Sequence, residues 1–537
     1  MDNRPIPRQP AYDLGVATAG ADETAGSHRQ RAGHGVHVPV GLPLVLVLAV
    51  QAAFSLTLVR ADTAFQDEAA YLWAGHLEWS HWLHGTPIPP FAAYFSGAPV
   101  IYPPLGAVAD SLGGLTGARV LSLVLILGAT SMLYFAAKRL FSRQAAFFAA
   151  MLFAIAGPTL HLGSFATFDA MAAFLVSLSV LLVVRAGGRK EAASSMIVAG
   201  VVLALANATS YATIVYDPVV ILLALVTGFP RPGGRLAVGR SLIVVAVLGV
   251  VLTIGLLIGG SAYLHGFEVT TALRVGGSDP AQTILTDAWS WSGLVVVAGL
   301  CGVAVSYLTR EKASRILLLI LLTLAAFLTP AEQTLLLTLD SLNKHGDLGI
   351  WFAAGAAGYA VDRLIGAAGV ASRQAVTCGA CLIALAFPLA LGTQQARAFA
   401  TAWPNSTSFV KILGPILAHT SGPVLVEDPS LAEYYLHSEG HWKRWSSTRN
   451  IVLPSGASTG GPSATAGVVG PGDPAIFARF IANGYFTVVA LNFADTTPLD
   501  HSIVADLRKS GAYKVDSVVP YGPAGGTYVI YRYEPQL

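Results

Sequence analysis

Two adjacent carboxylates, Asp67 and Glu68, stand a few residues beyond the first long apolar run of the chain. A carboxylate at a membrane surface can take a proton from a hydroxyl in water while it faces a reactant whose tail lies in lipid, which is general-base chemistry at an interface. Other ionisable residues close or open apolar runs: Asp169 in SFATFDAM, Asp217, His161 and His265. Arg119 begins a second run and Lys344-His345 precede a later one, and these cations are what a departing phosphate group needs. Charged groups at a helix mouth are costly when they face lipid, so they face a cavity or one another. Each also has a plainer explanation. Acidic residues favour a helix amino terminus, which alone accounts for Asp67 and Glu68, and a single basic residue can snorkel to the interface. Snorkelling explains any one of these residues better than it explains all of them on one side.

The elements that must position these groups are membrane helices. The chain has 537 residues, 54% hydrophobic and 12% charged, and a mean hydropathy of +0.61, whereas an ordinary soluble domain is about 25% charged. The chain reads as an α-helical polytopic membrane protein. A net charge of +2 argues against nucleic acid as a partner and points to lipid-borne ones. Cys301, Cys378 and Cys381 lie in apolar stretches and read as small core residues.

Residues 1–38, rich in Arg, His, Gly, Pro and Ala without apolar period, read as a disordered cytoplasmic tail. The run at 39–59 is long enough to span and has no convincing cleavage site, so it reads as an uncleaved anchor. Further runs at 117–137, 144–160, 170–184, 194–213, 218–228, 241–262, 292–308, 314–329, 348–361 and 375–392 bring the count to about eleven spans. The run at 218–228 is too short to span alone and follows Asp217-Pro218, which predicts a broken or hairpin pair across 194–228.

Every second connection is basic (KRLFSR at 138, RAGGRK at 185, FPRPGGR at 229, TREKASR at 309, DRLIGAAGVASR at 362) and these hold fourteen Lys and Arg with Arg240, against four, Arg60, Arg119, Arg274 and Lys344, on the other side. That asymmetry predicts a cytoplasmic amino terminus and an extracytoplasmic carboxyl terminus in the cell membrane. The four exceptions become candidates for holding an anion. The connection at 60–116 carries Tyr71, Trp73, Trp79, Trp82, Phe91, Tyr94 and Tyr102, the aromatic supply of helices at headgroup level. After about residue 398, strand-type segments at 422–428, 485–493, 513–521 and 526–534 alternate with helical ones at 429–437, 474–483 and 498–510, which predicts a small extracytoplasmic α/β domain over 398–537 with a mobile loop at about 454–472. Glu427-Asp428 ends a predicted strand and reads as a cap of the next helix.

FQDEAAYLW, YPPLG before the second span, ARVLSLVL at its start, the KRLF turn and SFATFDAMAAFL, in that order, resemble bacterial members of the protein O-mannosyltransferase and aminoarabinose-transferase group of the GT-C glycosyltransferase superfamily. The likeness covers residues 40–230 well, the remaining spans loosely and the carboxyl-terminal part hardly at all. It implies a GT-C-like catalytic domain over 39–397 that transfers a hexosyl or pentosyl group, with inversion, from a polyprenyl-phosphate sugar to a hydroxyl of a lipid, glycan or protein on the outer face. It further implies Asp67 as the base, Glu68 positioning acceptor or base, Asp169 supporting sugar or base, and Arg119, Lys344 and His345 holding the donor phosphate. Tyr102, His161, Asp217 and His265 are candidates for substrate or metal contacts, and a divalent metal (Mg or Mn) is an option that no ligand spacing demands. Two departures stand out. Ile101-Tyr102 precede Pro103-Pro104 where aminoarabinose transferases carry an acidic and a basic residue, and NATSYATIVYDP replaces a hairpin that carries a lysine. Both argue against aminoarabinose as the sugar.

Two other classes compete. A transporter or flippase would place its charges near the bilayer midplane and show repeat symmetry, and no internal repeat is visible. A scaffold that merely presents the α/β domain would be indifferent to Asp67.

Overall fold

Leu, Val and Ala dominate the first three-quarters of the chain, and the backbone there is helical because only helices and closed barrels satisfy their own polar groups in lipid. The computed structural model describes residues 41–187, 192–228, 234–274, 276–367, 374–439, 442–448, 451–452, 468–469, 474–494, 496–521 and 526–535. The expected amino-terminal tail, most of the 454–472 loop and parts of three basic connections lie outside these, as do the side chains of Cys378 and Cys381.

The helical part runs α1 (Leu42–Leu56), α2 (Gln66–His84), α3 (Tyr102–Leu140), α4 (Arg143–Ala154), α5 (Gly157–Leu162), α6 (Phe168–Ala186), α7 (Ala193–Thr209), α8 (Asp217–Val226), α9 (Gly234–Thr270), α10 (Ala281–Leu308), α11 (Ala313–Leu324), α12 (Leu328–Leu336), α13 (Leu342–Ala367) and α14 (Gln374–Ala400). Every expected apolar run falls on one or two of these. Among the described residues, five stretches are long and apolar enough to cross a membrane by length and composition: Tyr102–Leu140, Phe168–Ala186, Arg235–Thr270, Ala281–Leu308 and Ala313–Leu336. The remaining apolar helices are shorter or more polar, so length alone does not establish about eleven crossings. The 194–228 stretch is broken by a 3-10 turn at Tyr211–Tyr216 between α7 and α8. Cys301 is exposed on α10 and is not a core residue, because its helix turns that side away from its neighbours.

Two glycines shape the entry to the bundle. Gly114 has φ +60°, and there the backbone of α3 kinks after its first turns. Gly75 on α2 meets the start of α3 so closely that a Cβ would stand 1.9 Å from the Pro103 carbonyl oxygen. The interior is a continuous apolar cluster that includes Phe153, Trp351 and Phe352, with the Trp351 indole donating to the Ala129 carbonyl at 3.0 Å.

The carboxyl-terminal part adds α15 (Thr407–Ala418), α16 (Ser430–Tyr435), α17 (Pro474–Ala482) and α18 (Thr497–Ser510) around strands β1 (Val424–Val426), β2 (Trp445–Ser447), β3 (Ile451–Val452), β4 (Val468–Val469), β5 (Val488–Leu491), β6 (Tyr513–Pro520) and β7 (Thr527–Tyr533). The sheet order is β2-β1-β5-β7-β6, parallel across β2-β1-β5 and antiparallel across β5-β7-β6, with β3 and β4 a separate antiparallel pair. Central β5 reads VVAL and is buried throughout. Its Val489 and Leu491 pack toward Phe477, Phe480 and Ile503, while Val488 and Ala490 pack toward Phe409 and Leu413, as period-two alternation in a doubly covered strand requires.

Candidate active site

Asp67 and Glu68 sit in the first turn of α2, and adjacent positions on a helix point in different directions. That divides the acidic pair. Glu68 turns inward and is fully buried. One of its oxygens accepts from Arg119 Nε at 2.8 Å and the Ala166 N–H at 2.7 Å; the other accepts from Arg119 Nη2 at 2.7 Å and the Phe65 N–H at 3.0 Å. Arg119, on α3 and 1% exposed, also donates to the carbonyls of Val59 (3.0 Å), Asp62 (2.9 Å) and Thr63 (3.1 Å). A guanidinium has five N–H groups, and these five bonds occupy them. The expected role of Arg119 in holding a donor phosphate therefore does not fit this geometry, nor does direct contact of Glu68 with an acceptor. Together they clamp the 59–63 turn, the start of α2 and the α5–α6 connection.

Asp67 turns the other way. Its Oδ2 lies 2.6 Å from Lys344 Nζ, at the start of α13 and 277 residues away in sequence. Lys344 also lies within electrostatic reach of Asp169 and sits 5.8 Å from the centre of the Phe165 ring. Asp169, in the first turn of α6, accepts from the Thr167 hydroxyl at 2.9 Å and faces His345 Nε2 at 3.5 Å. The starts of α2, α6 and α13 thus bring Asp67, Asp169, Lys344 and His345 to one end of the bundle, where two carboxylates alternate with two basic groups. Lys344 is 8% and Asp169 5% exposed, while the Asp67 side chain keeps 28%.

The other expected residues fall at increasing remove. His161 is buried against Phe165 and Phe399, with ring centres at 4.7 and 5.5 Å, in electrostatic reach of Lys344. Tyr102 is wholly buried beside Ser122, behind Leu72 and Gly106. Asp217 belongs to its own network, accepting from Asn207 Nδ2 at 2.8 Å, while Asn207 accepts from Thr213 at 2.7 Å. His265 is exposed on α9 and shares none of these contacts among the described residues. No group of three or more His, Cys, Asp or Glu among the described residues is arranged to hold a metal ion, and Asp67 and Asp169 already face Lys344 and His345.

Two cavities flank the Asp67–Lys344 pair. An outer one of about 380 Å³ is walled by α2, the 89–96 segment, the end of β1, α16 and β2, with Asp67 among its lining residues. An inner one of about 10 Å³ is lined by Asp169, Lys344, His345, Ser210, Thr213 and Tyr216, which is room for about one water. Sequence reasoning missed the far wall of the outer cavity. Glu433 and Trp442 lie more than 360 residues from Asp67, and no local pattern marks them. The cap reading of the neighbouring acidic pair fits Asp428, whose carboxylate accepts the Ser430 N–H at 2.9 Å. Glu427 is different, since it collects the N–H groups of Asn492, Phe493, Ala494 and Thr496 and holds the turn after β5.

Glu433 is half-buried on this wall, and burial, with the Asp428 charge adding to it, pushes its carboxyl from the ordinary 4.5 up to about 8. A carboxyl whose folded pKa lies above its unfolded value binds the proton more tightly when folded. Its contribution is full below about 4.5 and is lost as pH climbs to about 8. Glu433→Gln, which mimics the protonated form, should therefore melt higher than the parent at pH 8.5, with a difference that shrinks at pH 5. Equal differences at the two pH values would contradict this environment.

Residues 108–258 match the family model described as dolichyl-phosphate-mannose-protein mannosyltransferase. The fold superposes on ArnT from Cupriavidus metallidurans in the apo state with a TM-score of 0.58 at 16% identity, covering 92% of this chain and 99% of that one. It superposes on the same protein bound to undecaprenyl phosphate with a TM-score of 0.58 at 16% identity, covering 93% and 100%. Against the oligosaccharyltransferase AglB of Archaeoglobus fulgidus in complex with an inhibitory peptide and a dolichol-phosphate, the TM-score is 0.53 at 15% identity, covering 90% of this chain and 74% of that one. No curated protein sequence matches the chain. The resemblance to GT-C glycosyltransferases expected from the sequence holds, as a likeness of fold along most of the chain and of sequence over residues 108–258.

Proposed function

We propose that this chain is a membrane glycosyltransferase that moves a sugar from a polyprenyl-phosphate donor to a hydroxyl acceptor, with inversion, on the extracytoplasmic side. One observation carries the reading: Asp67 reaches a cavity on one side and is tied on the other to Lys344, with Asp169 and His345 behind it. The likeness in fold to proteins solved with undecaprenyl phosphate and with dolichol-phosphate supports the donor class, and the excess of Lys and Arg on alternate connections supports the orientation.

Asp67 accepts the proton of the acceptor hydroxyl as that oxygen attacks the anomeric carbon. The bond from that carbon to the phosphate oxygen breaks, and the polyprenyl phosphate leaves with the electron pair. Negative charge grows on the leaving group in the transition state, so a preplaced ammonium is worth most there. Lys344 is placed to supply it, with His345, oriented by Asp169, beside it. Attack from the face opposite the leaving group inverts the anomeric centre. Arg119 and Glu68 serve by fixing the start of α2, and with it Asp67.

The test is to incubate the purified protein with a panel of polyprenyl-phosphate hexoses and pentoses and follow release of polyprenyl phosphate. One donor of the panel should lose its sugar. Release from none, with the protein folded by thermal melting, would overturn the reading.

A further inference from the structure

The outer cavity has a chemical bias that the transfer reaction does not itself require. Among the described residues its wall carries three acidic side chains besides Asp67 (Glu427, Asp428 and Glu433) and no Lys, Arg or His. Glu427 is committed to backbone N–H groups and Asp428 to the start of α16, while Glu433 faces the cavity from the first turn of α16. A phosphorylated or carboxylated acceptor would meet this acidic wall with no cation to hold it among the described lining residues.

The rest of the wall is aromatic. Trp73, Phe91, Tyr94, Trp442 and Trp445 surround the space, with Trp442 pinned by its indole N–H to the Pro87 carbonyl at 2.7 Å and Trp73 stacked on His437 at 5.5 Å between ring centres. Trp73 also has a buried indole N–H with no acceptor, and a buried donor left unmatched in a cavity wall is what a ligand oxygen would satisfy. Pro89, Pro90 and Pro429 line the same wall. Prolines offer no N–H, so they give an extended peptide less main chain to pair with.

Flat rings for C–H faces, the Glu433 carboxyl for hydroxyls, a spare N–H and no cation among the described lining residues together describe a site for an uncharged sugar. A volume of about 380 Å³ falls within the range of small-molecule sites, about 300 to 1,000 Å³. Because Asp67 forms one end of the cavity, a sugar held there presents its hydroxyl to the proposed base. Resting on the transferase reading above, we infer that the acceptor is a neutral glycan, seated between α2 and the carboxyl-terminal domain against Trp73, Tyr94, Trp442 and Glu433.

The experiment offers the purified full chain, with the donor identified from the panel, three acceptor chemistries: neutral oligosaccharides (gluco-, manno-, galacto- and arabino-series), a Ser/Thr-containing peptide and a phosphorylated glucosamine disaccharide. Transfer to one neutral oligosaccharide is expected. For that acceptor, Glu433→Leu and Trp442→Leu should each raise KM about tenfold with kcat within about twofold. Should either variant misfold, the parent protein gives an independent reading, since the same oligosaccharide without donor should shift its tryptophan emission in a saturable way. Preferential labelling of the peptide or of the phosphorylated disaccharide would overturn the glycan assignment. So would release of the donor sugar to water alone with all three acceptors. A donor never consumed under any condition would instead count against the transferase reading on which this inference stands.

Discussion

Asp67→Asn is expected to lower kcat for sugar transfer by about 10²- to 10⁴-fold, the range that a positioned general base contributes. Asparagine keeps the size of the side chain and an oxygen that can still accept from Lys344 Nζ, now 2.6 Å from Asp67 Oδ2. It cannot take a proton from a hydroxyl. The substitution also leaves Lys344, 8% exposed, without its nearest charge partner, so some loss of stability is expected and a thermal melt must accompany the assay. The discriminating measurement is kcat set beside the melt: the rate should collapse in protein that is still folded. Full activity with purified donor would remove Asp67 from the chemistry.

Much of the frame that carries Asp67 is legible along the chain, because it depends on local rules. Apolar runs fall on helices, the Asp217-Pro218 step falls where α7 gives way to a 3-10 turn and α8, and strand-type segments such as YFTVVALNF and GTYVIYRYE contain β5 and β7. Short elements with no internal period escape. β2 is three residues, Trp445–Ser447, and exists because β1 pairs beside it; α15 opens the carboxyl-terminal region without a distinctive signal. The kink at Gly113-Gly114 is invisible until φ is known.

Contacts between distant segments behave differently. Carboxylates and cations at helix starts suggest that they meet, but which meets which is decided by helix rotation and depth. Glu68 and Asp67 are neighbours with opposite fates, since one faces Arg119 and the packed interior and the other faces Lys344 and the cavity. A basic residue at a helix start reads equally as an anion holder or a structural clamp. Only the three carbonyls brought to Arg119 by the 59–63 turn decide the matter. His265 shows the converse, for its position near a helix end carried no information about the direction in which α9 presents it.

Arg119→Leu should therefore fail as a fold defect, not as a binding defect. It would leave the Glu68 carboxylate fully buried with two N–H partners and no counter-charge, and would strip the Val59 and Asp62 carbonyls of the Arg119 donor while Thr63 keeps only the Trp403 indole N–H. Removing one member of a buried pair costs about 3–5 kcal/mol, enough to empty the folded state of a marginal protein. Gel filtration in detergent should show loss of the monodisperse peak, with a melt well below that of the parent. Arg119→Leu with Glu68→Leu should recover part of that loss, because the stranded charge is gone, and the recovery measures the coupling between the two. Arg119→Lys separates the roles. A lysine can pair with Glu68 but has three N–H groups and no planar fork, so a clamp residue loses stability while donor KM in the folded fraction stays near that of the parent. A phosphate-holding residue would show the reverse: a stable protein with a sharply raised donor KM. That outcome would return Arg119 to the donor site and require the turn at 59–63 to release it when the donor binds.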